Sequence, residues 1–158
     1  MLIVYQHAYT TAVGESAEPV GYVLKRAQAA LRRSMDEALG EHDLTMAQYA
    51  VLSSLNQDGP LTNAALARRS FVTPQTSIRI VSDLEDAGYV VRHPDPQNGR
   101  RLNVTLTRAG STRLASADGA VSDVERRMLK GFSATDRRHF RTLLERSTHN
   151  LETQANQC

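Results

Sequence analysis

The chain has 158 residues, 19 Lys+Arg against 17 Asp+Glu, 41% hydrophobic residues and a single Cys, which fits one globular domain, with or without an attached arm, and suffices for a real core. No apolar run approaches the roughly 20 residues that cross a bilayer, no basic stretch leads an apolar one at the N-terminus, and the lone Cys158 excludes an internal disulfide and a Cys-rich zinc site. A cytoplasmic protein held together by packing is expected. The net charge of +2 does not announce a nucleic-acid partner, although 17 of the 19 cations are Arg, the side chain suited to forked contacts with phosphate and guanine.

Residues 1–19 carry no helical period and read as an N-terminal arm. From Val20 the apolar residues Val20, Val23, Leu24, Ala27, Leu31, Met35 and Leu39 recur at steps of three and four, which predicts a helix with one buried stripe and a stop at Gly40. Thr45 and Gln48 have the spacing of a capping box, and a second helix carrying Tyr49, Leu52 and Leu55 is predicted to about Asn56. After the break at Asp58, Gly59 and Pro60, Thr62 can cap a short helix through Ser70.

Thr73 at a cap and Pro74 at the first helical position predict a further helix with Ile78, Val81, Leu84 and Ala87 buried and Gly88 as its left-handed stop. Two helices flanking so short a turn form a helix-turn-helix. Tyr89 to His93 and Arg101 to Leu106 read as two strands joined at Asn98-Gly99. Two long helices follow, from Thr107 to about Lys130 and from Ser133 to about Asn156. The first carries a seam of Leu114, Ala117, Val121, Val124 and Met128. The expected fold is therefore mainly α, a winged helix-turn-helix with one β-hairpin.

On the helix begun by Pro74, Gln75, Thr76, Arg79, Ser82, Asp83 and Asp86 project opposite the buried stripe. The first half of that face offers an amide, a hydroxyl and a guanidinium that can read base edges, whereas Asp83, Glu85 and Asp86 would repel phosphate at the other end. Such acids also oppose the helix dipole. Insertion of the helix N-terminus into a groove explains both halves; an exposed Arg79–Asp83 ion pair is the plain alternative. The hairpin tip ends in Arg100 and Arg101, suited to the negative potential of a minor groove or to a solubilising turn. Arg68 and Arg69 suit phosphate contact or surface charge equally.

The segments LTMAQYAVLSSL, LTNAALARRSFVTPQTSIRIVSDLEDAGYVVR and HPDPQNGRRLNVTLTRAG lie within Leu44 to Met128, about half the chain. This region resembles the winged helix-turn-helix core of the MarR family of transcriptional regulators. Asp95, Arg100, Leu106 and Thr107 match the family's wing pattern, while Gln97 and Asn98 replace its internal Arg and Asp, and Ala65 stands where the family's short helix, the one capped here by Thr62, often has Glu at its third position. The resemblance implies a repressor that binds a pseudo-palindromic operator in double-stranded DNA through Arg68, Arg69, Thr73, Gln75, Thr76, Arg79, Arg100 and Arg101, with Asp95 supporting the wing. It also implies a homodimer, with residues 20–43 and 107–158 as the dimerisation region and 44–106 as the DNA-binding lobe. The Leu114 to Met128 seam and the apolar Phe140, Leu143, Leu144 and Leu151 agree with that assembly.

Members of the family respond to aromatic anions, to oxidants through a Cys in the first helix, or to zinc. No Cys precedes Cys158 and the five His residues are scattered, so a small aromatic or phenolic ligand is favoured, with no metal and no cofactor. Tyr22, Arg26, Gln48 and Tyr49 are candidates for its pocket, Arg26 as anion partner and Tyr49 as stacking wall, unless Tyr49 is simply core. An effector-free architectural DNA binder is the alternative. An enzyme is disfavoured, since no phosphate loop, nucleophile elbow or His-Glu metal helix occurs.

Overall fold

A computed structural model describes residues 18–95 and 98–155. Residues 1–17 of the expected arm, residues 96–97 and Cys158 lie outside the described residues. The elements run α1 (Val20–Gly40), α2 (Met46–Asp58), β1 (Leu61–Thr62), α3 (Asn63–Arg69), α4 (Pro74–Asp86), β2 (Val90–Asp95), β3 (Asn98–Leu106), α5 (Arg108–Met128) and α6 (Ala134–Ala155).

Local chemistry sets most of these boundaries. The Thr45 hydroxyl accepts from the Gln48 N–H at 3.2 Å, while Gln48 Oε1 accepts from the Thr45 N–H at 2.9 Å, closing the capping box of α2. Thr62 and Thr73 cap α3 and α4 by accepting from the N–H groups of Ala65 and Thr76. At the end of α4, Gly88 has φ 74°, and the N–H groups of Gly88 and Tyr89 donate to the carbonyls of Glu85 and Leu84. That pair of bonds is a Schellman stop, which requires the left-handed backbone glycine tolerates.

The core gathers Leu39, Leu44, Val51, Leu52, Leu55, Leu66, Ile80, Val81, Leu84 and Val104 around the helix-turn-helix, each large side chain contributing about 2 kcal/mol by leaving water. β1, β3 and β2 form an antiparallel sheet in that order. The ribbon expected to have two strands thus has a third: Leu61 and Thr62 pair with Val104 and Asn103. Two residues are too few to show an alternating pattern.

Other expectations shift by a residue or a partner. In α4 the buried residues are Ser77, Ile80, Val81 and Leu84, whereas Ile78 is 53% exposed and Ala87 is also exposed. The Ser77 hydroxyl donates to the Asn63 carbonyl at 3.2 Å, which lets a polar side chain occupy the stripe. Asn98 and Gly99 lie on β3 and are not the hairpin turn. Asn98 stands opposite Asp95 and Leu102 opposite Pro94, so Gly99, Arg100 and Arg101 have no Cα partner on β2. Such a bulge re-aims side chains at a hairpin end. Gly40 is the last residue of α1, and the left-handed turn after it falls at Asp43, φ 51°.

The described chain separates into two compact units, divided after Val124. In the first, Leu114 and Ala117 belong to the core, Val121 packs against it and Val124 is buried; the expected α5 seam is therefore occupied within the chain from Leu114 to Val124, while Met128 is 43% exposed. In the same unit Val20, Val23 and Leu24 of α1 are exposed while Met35 and Leu39 are buried, so the stripe predicted for α1 is buried only at its C-terminal end. In the second unit Phe132 and Phe140 meet edge to face at 5.8 Å, and Leu143 and Leu151 are exposed. No described helix is long and apolar enough to cross a membrane.

Candidate nucleic-acid interface

Two side chains organise the N-terminus of α4. The Thr73 and Thr76 hydroxyls share a hydrogen bond of 2.8 Å beside the cap, and Pro74 at the first helical position offers no N–H. Thr73, Gln75, Thr76 and Arg79 are all exposed, and Ser82 is half-buried. The positive end of the helix dipole lies at this terminus, where it favours a phosphate. Among the described residues Arg79 forms no ion pair with Asp83. Its side chain is exposed to solvent.

The acids at the far end have a partly different explanation from groove insertion. Glu85 accepts from the Arg92 N–H at 3.3 Å and pairs with its guanidinium at 3.2 Å, tying the end of α4 to β2. This contact compensates for the unfavourable dipole position and was invisible in the sequence, where the two residues share no periodic relation. Asp83 and Asp86 remain exposed.

The other basic residues are distributed around that helix. Arg68 and Arg69 are exposed in the last turn of α3, but Arg69 is held by Asp58 at 2.6 Å, so Arg68 is the less committed of the two. Arg101 is exposed on β3. Arg100 lies beside it in the bulge, its side chain outside the described residues. Asp95 is half-buried at the end of β2.

The wing is anchored at its base. Thr107 donates its hydroxyl proton towards the carbonyls of Gly88 and Tyr89, at 2.8 and 3.1 Å, and accepts from the Gly110 N–H at 3.0 Å. His93 and Thr105 bond across the ribbon. The end of α4, the base of the wing and the start of α5 are thereby joined.

The four candidates for an effector pocket have partners of their own. Arg26 pairs with Glu18 at 2.9 Å and sits 6.0 Å from the Tyr22 ring centroid. Gln48 is engaged in the α2 cap. The Tyr49 hydroxyl donates to Asp118 at 2.9 Å while its ring packs on the core.

This architecture recurs in known proteins. Residues 44–102 match the profile of the MarR family, and the chain is 37% identical over 128 residues to the HTH-type transcriptional repressor Rv2887 of Mycobacterium tuberculosis, spanning 81% of this chain and 92% of that one. The chain belongs to the MarR family. Its fold matches a crystal structure of Rv2887 in complex with salicylic acid, with a TM-score of 0.67, 36% identity and coverage of 83% of this chain and 97% of the other. It also matches a mutant MarR from E. coli complexed with operator DNA, with a TM-score of 0.75, 25% identity and coverage of 82% and 93%. As a MarR-family member the chain is a transcriptional regulator with a winged helix-turn-helix.

Sequence reasoning missed two contributors to this MarR-type lobe. Glu85 ties the end of α4 to β2 through Arg92. Gly110 lets α5 lie against the backbone of Tyr89, where a β-carbon would overlap the carbonyl oxygen. A glycine in the first turn of a helix was the available signal for the second.

Proposed function

We propose that the chain is a cytoplasmic, homodimeric repressor whose two α4 helices enter successive major grooves of a pseudo-palindromic operator, and that a small aromatic or phenolic ligand releases it. The observation that carries this reading is the divided polar face of α4. Exposed Thr73, Gln75, Thr76 and Arg79 occupy its N-terminal half and acids its C-terminal half, which admits only the first half to a phosphate-lined groove. Arg68 and Arg69 contact phosphate, and Arg100 and Arg101 bring the wing to the flanking minor groove, supported by Asp95.

In this reading residues 20–43 and 107–158 form the dimerisation region, 44–106 the DNA-binding lobe and 1–19 an arm. Exposed Val20, Val23 and Leu24 of α1, and Leu143 and Leu151 of α6, supply the apolar surface that a second copy covers. No reaction is assigned to the chain, because its function is carried by binding.

For the effector, the salicylic acid complex of Rv2887 supports an aromatic carboxylate, with Arg26 as its anion partner after exchange from the exposed Glu18 pair. The test is operator binding by fluorescence anisotropy with and without salicylate, using a site selected from random DNA. The expected result is a tenfold loss of affinity, which corresponds to about 1.4 kcal/mol of preference for the non-binding conformer, and a smaller loss in Arg26→Ala. Unchanged affinity over the soluble range of salicylate would remove this effector from the proposal.

A further inference from the structure

The connection between α3 and α4 contains a residue whose backbone and side chain are both out of the ordinary. Phe71 has φ 53° and is 96% exposed. The N–H groups of Phe71 and Val72 donate to the carbonyls of Arg68 and Ala67, so α3 ends in a Schellman motif with Phe71 at its left-handed position. The same motif ends α4 with Gly88 at the equivalent position, φ 74°. A bulky residue is strained there and glycine is not. Since the ring is almost wholly exposed, packing within the chain does not compensate for the strain.

Its position suggests what does. Phe71 is two residues before the Thr73 cap of α4 and directly follows the Arg68, Arg69 and Ser70 turn. It therefore stands at the end of α4 that the reading above places in the major groove. A phenyl ring can neither donate nor accept there, and the one apolar group that a major groove presents is the thymine C5-methyl. We infer that Phe71 is a specificity-determining residue that packs against a thymine methyl in each half-site. This inference rests on the DNA-binding reading, to which it adds a base preference.

The experiment compares wild type, Phe71→Gly and Phe71→Leu on the selected operator, with each thymine replaced in turn by deoxyuridine, which lacks only the methyl. Wild-type binding is expected to fall about fourfold at one thymine per half-site, the effect of exposing one methyl-sized group. Phe71→Gly should bind the parent operator about tenfold more weakly and be insensitive to that replacement, with Phe71→Leu between. The salt slope of binding should match wild type, because no charge is removed. Phe71→Gly should melt no lower than wild type, since glycine relieves the backbone, which separates lost recognition from lost folding.

Equal operator affinity for wild type and Phe71→Gly would overturn the inference while leaving the DNA-binding reading intact. So would equal deoxyuridine sensitivity in both, or a changed oligomeric state of Phe71→Gly without DNA, which would put the ring in a protein interface. Failure of wild type to select any sequence would overturn the underlying reading and this inference with it.

Discussion

Glu85 in the last turn of α4 holds Arg92 on β2 twice, through the backbone N–H at 3.3 Å and the guanidinium at 3.2 Å. One carboxylate thus joins the proposed recognition helix to the wing. The Arg92 side chain is 24% exposed, and its Nε and remaining amino nitrogen are buried without a hydrogen-bond partner among the described residues. Removing Glu85 leaves a largely desolvated cation.

Glu85→Ala is expected to destabilise the fold by about 1–3 kcal/mol, the range for stranding a partly buried charged donor. Denaturant unfolding of Glu85→Ala, Arg92→Ala and the double variant checks this. The double variant should lose less stability than the sum of the two single losses; additive losses would show that the pair contributes no mutual stabilisation.

Gly110→Ala places a β-carbon against the Tyr89 carbonyl oxygen and 2.8 Å from Leu106 Cδ1. Backbone cannot move aside as a flexible side chain does, so a loss of about 3 kcal/mol is expected, at the upper end for overpacking. Gly119→Ala meets nothing within 4 Å and should be neutral or slightly stabilising on the same helix. Equal melting temperatures for the two variants would contradict the close approach.

The DNA contacts separate by type. Arg79→Ala should lose about 1–3 kcal/mol of specific binding and relax one position of the selected site, whereas Arg101→Ala should weaken binding to all sequences and reduce the salt slope by about 1. Selected-site logos and salt titrations distinguish them. An unaltered logo removes Arg79 from base reading, and an unaltered slope removes Arg101 from phosphate contact.

Asp136 is held below its ordinary pKa of 3.8, first by the Ser133 hydroxyl and then by the Ser133 N–H, both donating to its carboxylate. A depressed carboxylate adds stability that is present above the unfolded pKa and is lost as pH falls through the folded one. The start of α6 is therefore expected to be unaffected from neutrality down to the usual carboxylate range and to fray only below it. Carboxyl NMR titration should show the Asp136 midpoint rising in Ser133→Ala; an unchanged midpoint would contradict the assigned cause.

What could be read in advance was whatever neighbouring residues decide. Thr45 with Gln48, Thr62, Thr73 with Pro74, and Gly88 each fix a helix end through contacts within a few positions, and their letters announce it. The buried stripe expected on α4 holds at Val81 and Leu84 but not at Ile78 and Ala87, which are exposed while Ser77 and Ile80 are buried; the Asn63 carbonyl that accepts from the Ser77 hydroxyl admits a polar side chain there. β1 exists because Val104 and Asn103 lie beside it. Among the candidate site residues, the exposed row on α4 was legible from helical period, whereas the Asp58 partner of Arg69 and the Asp118 partner of Tyr49 are set by tertiary placement.

The most direct test of the central claim is a hydroxyl-radical footprint on a site selected from random DNA by the wild-type chain. A dimer carrying two α4 helices should protect two symmetric half-sites about 10 base pairs apart, the repeat that puts both major grooves on one face of the duplex. Selection of no common sequence, or a footprint without two-fold symmetry, would contradict the account.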